Sequence, residues 1–145
     1  MKLPYKGGGV ALFYKDKHTG EYSILLGKRT VEPGKGKWSI PGGGYEPQDV
    51  SICATAQREF WEETGISLKT VCPASEPDMY RFRLPFFTWV TFLQEVQSTD
   101  FLADATIREF SELRFIPFSE LHTYKLAFGI KAEIRAFKRR HTMEV

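Results

Sequence analysis

The stretch that most constrains this chain is a glycine triplet, Gly42, Gly43 and Gly44, followed a few residues later by a helical pattern from about Ser51 to Thr64. Glycine has no Cβ, so such a bend permits close approaches that any other residue blocks. Ser51 or Asp49 is placed to cap the helix start and Gly65 to stop it. Helical residues advance by about 100° each, so Glu59, Glu62 and Glu63 are expected to share one face. Cys53, Ala54, Phe60 and Trp61 fall roughly opposite and are expected to pack on a sheet, which turns the acidic face outward or into a cleft.

Three like charges at this spacing repel and add nothing to helix stability unless a cation neutralises them. Mg²⁺ suits the task, because it accepts one or two carboxylates and keeps its remaining positions for water and phosphate oxygens. Arg58 stands four residues before Glu62 and can hold that carboxylate in place. Taken alone, such a cluster reads as a solvated helix face. The glycine turn ahead of it changes the reading, since its backbone can supply a carbonyl to a metal or N–H groups to a phosphate.

The rest of the chain bounds the class. With 145 residues and 42% apolar content it can bury a core as one domain, residues 1–145, without disulfides. Cys53 and Cys72 form no Cys-x-x-Cys pair, which points to a reducing, cytoplasmic setting. The start of the sequence has no apolar leader, and no apolar run reaches about 18 residues, so neither secretion nor a membrane span is expected. A net charge of +2 gives little field to hold an acidic polymer, and nucleic acid is not the expected partner. The basic run Lys131, Arg135, Lys138, Arg139 and Arg140 reads as the charged side of a terminal helix rather than an RNA contact. A homodimer is among the assemblies open to the chain.

Gly9 to Tyr14 and Tyr22 to Gly27, joined at His18-Thr19-Gly20, read as a hairpin. Ile66 to Val71 and Phe86 to Val96 read as strands, Leu113 to Ile116 as a short one, Ser119 as the cap of a short helix, and Gly129 to Arg140 as a terminal helix. Strands mixed with helices make an α/β or α+β domain. Trp38, Tyr80, Phe82 and Trp89 could stack on a base, although aromatics in strands are more often core. The three histidines show no metal-ligand spacing.

Pro41-Gly42-Gly43-Gly44-Tyr45-Glu46 and Arg58-Glu59-Phe60-Trp61-Glu62-Glu63-Thr64-Gly65-Ile66 together resemble the Nudix box. The second half matches at every position. In the first half, counting from Gly43 puts Asp49 where the box has glutamate, with one extra residue before Arg58; counting from Gly44 restores the spacing but puts Val50 there, and the Asp49 register is preferred. Leu25 to Arg29, Trp38 to Pro41 and Leu113 to Pro117 extend the resemblance over most of the chain.

The resemblance implies the Nudix α/β/α sandwich, a mixed β-sheet between helices, and a metal-dependent pyrophosphohydrolase using Mg²⁺ or Mn²⁺. Its substrate would be a small-molecule nucleoside diphosphate derivative: a nucleoside triphosphate, a nucleotide sugar such as ADP-ribose, or a dinucleoside polyphosphate. Glu59 and Glu63 would be the principal metal ligands, Glu62 would bind a further metal or its water shell, and the Gly43 carbonyl would add a ligand. Arg58 would orient the glutamates, while Arg29, Gly42 and Gly43 would touch phosphate. The general base would be a box glutamate or a later loop acid, Glu109 or Glu112. The alternative is a Nudix-fold module that senses a nucleotide or RNA without cutting it; the intact glutamates weigh against it.

Overall fold

The computed structural model describes residues 3–71 and 78–142; Cys72 lies outside them. The first two strands form the expected hairpin, β1 (Tyr5–Lys15) and β2 (Tyr22–Arg29). Its turn is held by the Asp16 carboxylate, which accepts from the N–H groups of His18 and Thr19 at 2.8 and 2.9 Å. β3 (Trp38–Ser39) pairs with β2, and the glycine triplet forms β4 (Gly42–Gly44), antiparallel to Gly7–Gly9 of β1. After α1 (Ile52–Thr64) come α2 (Leu68–Val71), β5 (Asp78–Leu84), β6 (Phe87–Val96), β7 (Phe110–Pro117) and α3 (Ile130–Thr142).

β1 runs parallel to β6 and the other pairings between these strands are antiparallel, giving a mixed seven-stranded sheet in the order β3-β2-β1-β6-β5, with β4 on β1 and β7 on β2. Central β1 is buried on both sides, so successive residues feed different cores. Val10 and Leu12 meet Ala56 and Phe60 of α1, whereas Ala11 and Phe13 meet Ile130, Ile134 and Phe137 of α3. The sheet is thus sandwiched between helices. Among the described residues no helix is long and apolar enough to cross a membrane.

Three local expectations fail for physical reasons. Leu68–Val71 is a helical turn rather than part of a strand, because Ile66 and Leu68 reach the core beneath α1 without joining the sheet. Ser119 caps nothing; the 3-10 turn Phe118–Thr123 has no side-chain cap, and the Ser119 N–H instead donates to Glu21. The helix stripe is rotated from the expected one. Ile52, Ala56 and Phe60 line the sheet side of α1, leaving Trp61 57% exposed and drawing Glu63 inward to 3%.

Candidate active site

The ends of α1 are built as its sequence requires. The Ser51 hydroxyl accepts from the Ala54 N–H at 3.1 Å, and Gly65 adopts the left-handed conformation that ends the helix. Between them Arg58 reaches back over the helix start. Its Nη2 also donates to the Gly44 carbonyl at 2.9 Å, tying helix to glycine strand. Asp49 is buried, its Oδ2 accepting from Arg58, the Thr55 hydroxyl and the Glu46 N–H. The Arg58 guanidinium and these donors hold the Asp49 carboxyl well below the usual carboxylate range.

The three glutamates do not converge as one set. Glu62 lies on the open side of α1 and takes Arg58 Nη1 at 3.0 Å, the i,i+4 pairing expected from the spacing. Glu59 accepts from the same nitrogen at 3.0 Å but leans over Gly43; a Cβ there would stand 2.4 Å from the Glu59 carboxyl carbon. Gly43 is therefore required for close approach. Glu63 adjoins Glu59 from the buried side, and neither of its carboxylate oxygens has a hydrogen-bond partner. The Gly42 peptide faces Glu63 without reaching bonding geometry, and Glu59 stands against it as a second acid. Burial, reinforced by the charge of Glu59, pushes the Glu63 carboxyl up to about 9, and burial likewise raises Glu59.

A buried carboxylate without partners is costly unless a cation or a proton neutralises it. Among the described residues no three acidic, histidine or cysteine side chains form a ready-made cage. The two that adjoin, Glu59 and Glu63, offer hard oxygen donors, which suits an ion that keeps water and phosphate as its other ligands.

The remaining expected site residues are dispersed around this pair. Gly42 and Gly43 sit in β4 beside it. Arg29 anchors its own loop through Nε to the Pro33 carbonyl at 2.7 Å, while its charge reaches the Tyr5 hydroxyl. The charge of Glu109 reaches Glu63, and its backbone is fixed by two bonds of 3.0 Å from Thr30. Glu112 is instead paired with Arg114 at 3.1 Å. Trp38 belongs to the core, and Trp89 is fastened by its Nε1 to the Thr91 hydroxyl at 2.8 Å. Tyr5 was not expected here. No motif marks it, and only the pairing of β1 with β4 carries its hydroxyl toward Glu59, whose charge, after burial, raises its pKa.

The NUDIX domain family model matches residues 6–138. The chain belongs to the NUDIX family. Across 58 residues, 39% of its length, this NUDIX chain is 40% identical to the ADPR responsive transcriptional repressor NtrR of Acinetobacter baylyi; the match spans 22% of that repressor. Its fold is similar to the NUDIX domain of Shewanella oneidensis NrtR complexed with ADP ribose, with a TM-score of 0.73 at 20% identity, covering 96% of this chain and 90% of that one. The C. elegans Ap4A hydrolase in a binary complex gives a TM-score of 0.69 at 17% identity, covering 95% and 98%. At such identities these two likenesses are of fold.

Proposed function

We propose that this chain is a divalent-cation-dependent pyrophosphohydrolase that cleaves a phosphoanhydride bond in a nucleoside diphosphate derivative such as ADP-ribose, a nucleoside triphosphate or a dinucleoside polyphosphate. The observation that carries this reading is the buried, unpartnered carboxylate of Glu63 beside Glu59.

Glu59 and Glu63 would hold the cation, with the Gly43 carbonyl as a further oxygen and Glu62 available to a second ion or its water. Bound Mg²⁺ or Mn²⁺ supplies positive charge against the phosphate oxygens that otherwise repel a nucleophile. Arg58 keeps Glu59 and Glu62 oriented, and Asp49 keeps Arg58 oriented. The role of the first box acid here is structural: Asp49 is occupied by Arg58. Glu109, whose charge reaches Glu63, would accept the proton of the attacking water; Glu112 is instead paired with Arg114. Arg29 and the peptide groups of Gly42 and Gly43 would meet the phosphates.

Turnover of a nucleotide panel with Mg²⁺ or Mn²⁺ tests this reading, wild type beside Glu63→Gln. The variant is expected to stay folded and lose most of kcat; equal activity in the two proteins eliminates the assignment.

A second reading is favoured by the likeness to the ADPR responsive repressor over 58 residues: a module that binds ADP-ribose without cutting it. Saturable ADP-ribose binding with no release of AMP in the presence of metal would establish it.

A further inference from the structure

We infer that an aromatic pocket beside the glutamate pair receives the planar base of the nucleotide, an inference that rests on the site's reading as a phosphoanhydride centre. The pocket, of about 380 Å³, opens where β1 and β6 begin, with Tyr5, Lys6, Tyr45, Phe86 and Phe87 among its walls. Tyr5 and Phe87 are stacked, with centroids 5.2 Å apart and an interplanar angle of 18°. In the same lining, the Lys6 ammonium lies 3.9 Å from the centroid of the Tyr45 ring. Among the described residues Lys6 is the sole charged side chain of the lining, and its charge rests on a ring face. The pocket therefore presents π-surface rather than a cradle for phosphate.

Phe86 marks the rim. It is 71% exposed and sits at φ 63, a left-handed backbone conformation that a bulky residue rarely adopts. The turn between β5 and β6 would relax with glycine at this position, and the phenyl ring gains little burial in exchange. What the side chain offers is an aromatic face at the mouth of a cleft.

Tyr5 joins the pocket to the carboxylates. Its ring forms the wall, while its hydroxyl lies 2.9 Å and 3.6 Å from where Cβ atoms of Gly7 and Gly44 would stand. From there the hydroxyl feels the opposing charges of Glu59 and Arg29. Among the described residues it makes no hydrogen bond to another group. A ligand that places phosphate at Glu59 and Glu63 and a flat ring among Tyr5, Phe86 and Phe87 fits both halves at once. A nucleotide has that composition, and stacking on aromatic faces accepts any base.

Two ligands that contain no anhydride, AMP and ribose 5-phosphate, separate the base from the phosphate without turnover. Calorimetric titration in Mg²⁺ with wild type and Phe86→Gly is the test, because glycine removes the ring and relaxes the backbone. Wild type is expected to prefer AMP, and the variant to lose roughly 5–100-fold in AMP affinity with ribose 5-phosphate unchanged. Equal affinity of wild type for the two ligands, an unaltered AMP affinity in the variant, or an equal fall for both overturns the inference. Failure of the hydrolase reading registers elsewhere, as turnover that survives Glu63→Gln.

Discussion

The Arg58 guanidinium meets the Asp49 carboxylate at two points, Nε to Oδ1 and Nη2 to Oδ2, each at 3.0 Å. Bidentate pairing of this kind fixes both side chains in one plane, which a lysine ammonium cannot do. The same guanidinium touches Glu59, Glu62 and Gly44, so the pair sets the geometry of the acidic edge of α1.

Disturbing Arg58 should therefore act through its neighbours. Arg58→Lys keeps the charge and loses the fork. If Glu59 and Glu62 hold metal as proposed, turnover is expected to fall roughly 10–100-fold, the usual effect of removing a residue that orients metal ligands. The midpoint for Mg²⁺ activation should rise in parallel. Steady-state kinetics across a metal titration check this.

Gly43→Ala tests close approach directly. A methyl group there would occupy the space of the Glu59 carboxyl, 2.4 Å from its carbon, so Glu59 must move. Activity is expected to drop with little change in far-ultraviolet circular dichroism. Gly20→Ala is the control: its Cβ meets nothing within 4 Å, but φ is 74. It should cost about 1 kcal/mol of stability and leave turnover alone.

Phe60 is fully buried on the sheet side of α1, among Val10, Leu12 and Val90. Phe60→Ala leaves a cavity where the helix seats, and a loss of roughly 3–5 kcal/mol is expected in urea unfolding.

Glu133 of α3 is buried in the opposite core, where it accepts from the Thr91 hydroxyl, and burial raises its pKa from the ordinary value to about 7. The unfolded chain releases this proton near 4.5 and the folded protein near 7. In that window the folded state binds the proton more tightly, so the contribution is full below about 4.5 and is lost as pH rises through about 7. Glu133→Gln cannot ionise. Wild-type stability should fall relative to the variant by on the order of 2–3 kcal/mol between these limits, read from urea midpoints at each pH. Parallel profiles would refute the assignment.

How much of this was legible in the sequence depends on how local each cause is. The hairpin, α1 and its two caps follow from short patterns, and so does the pairing of Arg58 with Glu62. The rotation of α1 does not. A wheel separates glutamates from Cys53 and Trp61, but packing on the core selects Ile52, Cys53, Ala56 and Phe60, which carries Glu63 inside and Trp61 out. β5 left no pattern because it is a largely exposed edge strand with Arg81 and Arg83 interrupting its aromatics. Tyr5 and Asp49 act through long-range or loop contacts that no periodicity encodes.

We propose that Glu63, buried and without a hydrogen-bond partner, takes up a cation. Thermal unfolding of metal-free wild type and Glu63→Gln, each titrated with Mg²⁺ or Mn²⁺, tests it most directly. A ligand that binds only the folded state adds about 2.7 kcal/mol at a hundredfold excess over Kd. Wild-type Tm is expected to climb with metal, while Glu63→Gln starts no lower than metal-free wild type and barely responds. Equal rises in the two proteins, or none in wild type with ADP-ribose present, would contradict the claim.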